Sequence, residues 1–171
     1  MKVFLFFLFT IWQLGLFSQD TESNKLKIHE DGSYYFQRIV ETGLTSDENY
    51  KYAKNFLVYG FKNADYVIRL DEKQQIIVKS HFKIPYQSLT WGTIHNTLTI
   101  DIKDEKIRLT FDQIEVQGGD KGQTNKMHDK TNFWYPKRFK QEMIEGSEIW
   151  MLAFSIALEK HIMDKDLQDD W

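Results

Sequence analysis

Five histidines, His29, His81, His95, His128 and His161, are the side chains of this sequence best suited to proton transfer or metal binding near neutral pH. None belongs to an HExxH pair or to any other closely spaced set with metal-ligand spacing. His81 and His95 fall at matching parity on two neighbouring strand-like runs, so they are expected side by side on the solvent face of a sheet. A carboxylate such as Asp101 would complete a three-ligand set with them. The simpler expectation is two solvated histidines, and no metal or cofactor is assigned. Ser147, in Glu145-Gly146-Ser147-Glu148, lacks the spacing of a nucleophile elbow. Gly118-Gly119-Asp120-Lys121-Gly122 lacks phosphate-loop spacing and does not run straight into a helix. Asp164, Asp166, Asp169 and Asp170 do not have calcium-loop spacing. The absence of cysteine excludes thiolate zinc sites, a thiol nucleophile and disulfide chemistry. No catalytic residue is nominated.

What remains is recognition. By strand parity Arg69, Lys79, Lys83 and Arg108 share one sheet face with His81, His95, Thr97, Thr99 and Thr110, and Asp101 is its main acid. Four permanent cations on one face, in a chain of net charge −3, suggest a shallow basic surface that docks an anionic partner. The alternative is a solvated face that merely keeps the protein soluble. Phe133, Trp134 and Tyr135 form a second candidate: adjacent aromatics hold a sugar ring or anchor an interface, or else seal the edge of a core. Mild overall acidity argues against a general attraction to nucleic acid.

The elements that must position these residues follow from pattern. Tyr34 to Glu41 is aromatic and β-branched and suits a first strand. Thr45 and Glu48 have capping-box spacing and open a helix whose stripe is Tyr50, Ala53, Phe56 and Leu57, with Gly60 as its stop. Four alternating runs follow: 65–70, 75–84 (ended by Pro85), 93–102 and 106–116. Ile114 and Val116 are out of step with Ile107, Leu109 and Phe111, which predicts a β-bulge near Asp112-Gln113. Residues 117–131 read as a long loop, and Pro136 suits the first turn of a last helix. That helix is expected to bury Ile149, Trp150, Leu152, Ala153, Ile156 and Ala157, with Gly146 dividing it in two. The expected fold is α+β: one curved antiparallel sheet of about five strands, in the order β-α-β-β-β-β-α, with both helices on one face.

Met1 to Ser18 places the chain. Lys2, an apolar run from Val3 to Phe17 and a small residue at the break read as a secretory signal peptide, the alternative being an uncleaved anchor. Removing 18 of the 171 residues leaves 153, enough for one domain with one core, and removing Lys2 moves the formal charge from −3 to −4. The expected organisation is 1–18 signal peptide, 19–33 flexible leader, 34–163 one domain and 164–171 acidic tail. With no cysteine for a lipid anchor, the mature chain is expected in the periplasm or outside the cell, with no membrane span after cleavage.

A family resemblance rests on a leader ending before a Gln, a helix with a Tyr in its first turn, the run FKNADYVIRLDEKQQIIVKSHF, the pair IHNTLTIDIKDEKIRLTFDQIEV and the closing DDW. Across roughly Tyr35 to Trp171 the chain resembles the secreted domain-of-unknown-function family 4468, of Bacteroidetes-type bacteria, with its TATA-binding-protein-like (TBP-like) fold. Lys103-Asp104 and Lys106-Ile107-Arg108 match that family's turn between the last two strands, with Glu105 where Gly is more usual. The resemblance implies a fold and a location and brings no activity with it. The functional expectation is a non-enzymatic binding or accessory module of the cell envelope, whose partner is an envelope protein or an anionic polysaccharide. The alternatives are a small envelope hydrolase, or a structural subunit with an exposed apolar patch around Trp134 and Trp150.

Overall fold

The structure, a computed structural model, describes residues 24–61, 68–86, 90–118, 124–127 and 136–164. Its elements are β1 (Lys27–Ile28), β2 (Tyr34–Glu41), α1 (Ser46–Gly60), β3 (Ile68–Glu72), β4 (Gln75–Tyr86), β5 (Thr90–Lys103), β6 (Lys106–Gly118), β7 (Thr124–Lys126) and α2 (Lys137–Met163). The strands form one sheet in the order β1-β2-β6-β5-β4-β3, with β7 also on β6, and every pairing is antiparallel. The architecture is therefore the expected α+β one, with seven strands instead of about five. The two extra strands lie where leader and loop were expected. β1 falls within 19–33, where the Leu26 N–H donates to the Glu148 carboxylate of α2 at 2.9 Å. β7 falls within 117–131 and pairs with Glu115–Gln117. Residues 1–18, expected to be a signal peptide, and the tail beyond Asp164 lie outside the described residues.

Local chemistry sets the boundaries. Thr45 and Glu48 form the capping box, side chain to backbone in both directions. The bulge is where parity placed it: register shifts opposite His95–Thr97, and Gln113 takes a left-handed φ of 51°. It separates two partners on one edge of β6, with β2 along Lys106–Phe111 and β7 along Glu115–Gln117. Pro85 does not end β4, which runs on to Tyr86. β3 pairs with β4 only from Gln75 to Val78 among the described residues, so Pro85 interrupts no ladder on that side.

One face of the sheet is covered by both helices. Its central residues are Phe36, Val40, Ile76, Val78, Ile94, Leu98, Ile100, Ile107, Leu109 and Phe111, all buried. At about 25 cal/mol per Å² of apolar surface, this cluster is the main source of stability. Here α2 departs from expectation in two ways. The helix is continuous through Gly146, which is there for close approach: a Cβ would stand 2.6 Å from Cγ2 of Ile84. And the buried line is Phe139, Met143, Ser147, Met151, Ser155, Leu158 and Ile162, while Ile149, Ala153, Ile156 and Ala157 face solvent. The inner line includes two serines whose hydroxyls donate to the carbonyls four residues back, Met143 and Met151, both at 2.7 Å. Their polarity is thereby internalised, which a count of hydrophobic residues does not register. Trp150, expected to mark an exposed patch, is stacked on Phe82 with ring centroids 3.8 Å apart. α1 shows a smaller shift: it buries Asn49, Tyr52, Ala53 and Leu57, and Tyr50 and Phe56 are half-buried. Asn49 donates to the Lys103 carbonyl at 2.9 Å, which ties the helix to the β5–β6 turn.

Candidate functional site

The face away from the helices is built from cross-strand rows fixed by register. One row is His81 on β4, His95 on β5, Glu115 on β6 and Lys126 on β7. The next is Lys79, Thr97 and Asp112. Opposed residues in an antiparallel ladder point to the same side, so each row presents its side chains together. The His81 and His95 rings stand 5.8 Å apart, tilted by 36°. Nε2 of His95 lies 3.2 Å from Oε1 of Gln117, and Thr97 donates its hydroxyl to Gln113 at 2.9 Å.

The β1–β2 turn stands over these rows and converts a face into a cleft of ≈ 1230 Å³, open to solvent. The turn is held by its own bonds. Ser33 donates both its N–H (2.9 Å) and its hydroxyl (2.6 Å) to Asp31, and Gly32 adopts a φ of 84° that permits the reversal. His29 closes the rim: its ring stacks on Tyr35 at 4.1 Å, and its Nε2 lies 3.6 Å from Oδ2 of Asp112. The lining carries the carboxylates Glu30, Asp31, Asp112 and Glu115 against the amines of Lys79 and Lys126, with three histidines between them. Among the described residues no set of three or more His, Asp and Glu is placed to hold a metal ion. No described helix is long and apolar enough to cross a membrane.

The residues expected from parity divide into three groups. Lys79, His81, His95 and Thr97 come together in the cleft. Lys83 lies one row beyond His81, with its amine 4.5 Å from the centre of the Trp91 ring. Arg108 is at the other end of the sheet, where it donates from Nε (3.0 Å) and Nη2 (2.8 Å) to Oδ2 of Asp101, while the Oδ1 of Asp101 accepts from Gln75. Arg69 falls where strict alternation is interrupted. It lies at a register shift between Ile68 and Leu70 on the edge strand, and Leu70 is turned opposite Ile77. The expected array of four cations is thus dispersed. Phe133, Trp134 and Tyr135 lie outside the described residues. Sequence reasoning missed His29, Glu30, Asp31 and Lys126, because β1 and β7 are too short to show a period. Asp112 and Glu115 were within reach had the predicted slip been carried through to their faces.

A solved structure from Parabacteroides distasonis, described as a TBP-like protein, superposes on this chain with a TM-score of 0.68, covering 80% of this chain and 96% of that one at 11% identity. The fold is TBP-like. A second structure, a protein of domain-of-unknown-function family 4468 from Bacteroides ovatus, matches with a TM-score of 0.59, covering 77% and 88% at 10% identity. This is the architecture the sequence resemblance implied. No protein-family model matches the sequence, and neither does any curated protein. At such identities the TBP-like likeness concerns architecture, and the chemistry of this chain has to be read from its own cleft.

Proposed function

We propose that this protein is a non-enzymatic binding or accessory module of the cell envelope, exported by its N-terminal apolar segment, and that it binds through the cleft on the open sheet face. The observation that carries this reading is the convergence of side chains from β4, β5, β6 and β7 with the β1–β2 turn around one wide, polar cleft. Its lining offers donors and acceptors of both signs without enclosing a small molecule, which suits a polar surface or segment. With four carboxylates against two lysines, the lining disfavours a polyanion, so the partner is a protein rather than an anionic polysaccharide.

The test is capture from envelope extract by the wild-type protein beside Lys79→Glu and Glu115→Lys variants, whose folding is checked by circular dichroism. A protein held by the wild type and lost by both variants supports the reading. Equal capture by all three, or none, refutes it. Export is tested separately by the mass of the N-terminus recovered from the periplasm, where removal of Met1 to Ser18 is expected and retention in the cytoplasm refutes it. The His29–Asp112 contact in the cleft favours one second reading, a small envelope hydrolase. Turnover of ester or glycoside substrates that is lost in His29→Ala would replace the binding reading with it.

A further inference from the structure

The outward side of α2 carries a line of residues that the core does not use. Ile149 is 70% exposed, Ile156 48% and Met163 44%, and Ala153 and Ala157 beside them are exposed. Glu145, Ile149, Ala153, Ile156, Lys160 and Met163 succeed one another at intervals of four, four, three, four and three, so they form a single line along the helix. That alternation is the seam spacing of paired helices. The line runs for about 27 Å at 1.5 Å per residue. The opposite side of the same helix, Met143, Ser147, Met151 and Leu158, is already fully buried against the sheet. Scattered exposed apolar residues are ordinary, but a continuous line of them on one helix is an interaction surface.

We propose that this line is a homodimer contact, in which α2 packs antiparallel against α2 of a second copy with the two-fold axis midway between Leu152 and Ala153. The sequence is self-complementary about that point. A two-fold axis there sets Ile149 against Ile156 of the second copy and brings the two copies of Ala153 beside the axis, where their small side chains let the helix axes approach to about 8 Å. The same operation sets Glu145 against Lys160 of the second copy, and by symmetry this pair forms twice. A parallel arrangement would set Glu145 against Glu145 and Lys160 against Lys160, so charge selects the antiparallel one. Among the described residues Glu145 is otherwise engaged only through Gln141, one turn earlier, which donates to it at 2.8 Å. A contact confined to one helix pair is smaller than the standard interface of about 1,600 Å², so the dimer is weak, with a Kd of about 10–100 µM.

Sedimentation velocity of the purified protein over about 1–500 µM brackets that affinity and tests the contact. A monomer–dimer transition is expected for the wild type. It is expected to vanish in Ile149→Glu and to weaken about tenfold in Glu145→Lys or Lys160→Glu, each of which turns two attractions into repulsions. The combined E145K/K160E variant restores the opposite pairing and returns to wild-type affinity. All three substituted positions are exposed, and far-UV circular dichroism confirms that each of the four variants folds. A wild type that stays monomeric overturns the proposal. So does association untouched by Ile149→Glu, or an E145K/K160E protein no tighter than either single variant. Binding of the monomer to vesicles of anionic lipid, lost in Ile149→Glu, would assign the line to a membrane surface and also overturn it.

Discussion

Replacing Gly146 by alanine pits helix propensity against packing, and the structure says which wins. Alanine inside a helix is favoured over glycine by about 1 kcal/mol. A Cβ at Gly146 would lie 2.6 Å from Cγ2, 2.8 Å from Cδ1 and 3.2 Å from Cγ1 of Ile84. Cδ1 can swing aside, but Cγ2 moves only if χ1 of a β-branched side chain in a strand turns. Overpacking of this kind costs about 1–3 kcal/mol. Gly146→Ala is therefore expected to destabilise by about 1 kcal/mol net, lowering Tm by about 2–4 °C. In an Ile84→Ala background all three obstructing carbons are gone. The same substitution then realises its propensity gain and fills part of the cavity, so its sign reverses to a stabilisation of about 1 kcal/mol. Urea denaturation of the four proteins reads the cycle, with a coupling of about 2 kcal/mol expected between the sites. A Gly146→Ala protein more stable than wild type, or an effect of the same sign in both backgrounds, would refute the packing argument.

Glu105 has a φ of 67° in the β5–β6 turn, where its backbone accepts from Thr42 and Gly43 and donates to Leu44. Glu105→Gly keeps those bonds and relieves the left-handed strain, so thermal melts should show a gain of about 0.5–1 kcal/mol. Ser147→Ala and Ser155→Ala remove hydroxyls bonded only to carbonyls within the helix. Each is expected to be neutral or stabilising by up to about 0.5 kcal/mol in urea melts, and a loss above about 1 kcal/mol would contradict the account of the inner face. The carboxyl of Asp71 is held below its ordinary pKa chiefly by the Lys54 ammonium and further by the Tyr50 hydroxyl, against the opposing effect of burial. A depressed carboxyl stabilises the fold above its unfolded pKa and loses that contribution as pH falls through the folded one. Asp71→Asn should therefore be less stable than wild type at neutral pH, and the gap should close in acid; a gap independent of pH would count against the ion pair.

Legibility followed the range of the signal. Thr45 with Glu48, the parity slip at Ile114 and the alternation of β4 and β5 are local patterns, and each gave its element correctly. Lys79, His81, His95 and Thr97 followed from the same alternation and do line one cleft. α2 was harder, because a helix face is chosen by what packs against it. Ser147 and Ser155 made the true inner face look polar, and Ile149 and Ile156 made the outer one look like core. The rest of the cleft was beyond reach for a different reason. His29 follows a strand of two residues and Lys126 lies on one of three, both too short to show a period of their own.

Among the described residues β1 is joined to β2 by two opposed residue pairs, Lys27 with Tyr35 and Ile28 with Tyr34, and its lead-in is held by the Leu26–Glu148 bond and the packing of Leu26 on the core. Tension on the N-terminal chain would load these contacts one after another, as a peel, whereas the long β5–β6 ladder lies outside the line of force. The first structure to yield under load is then the rim carrying His29, Glu30 and Asp31. A pull of a few bonds' strength would open one side of the cleft and leave the buried core intact.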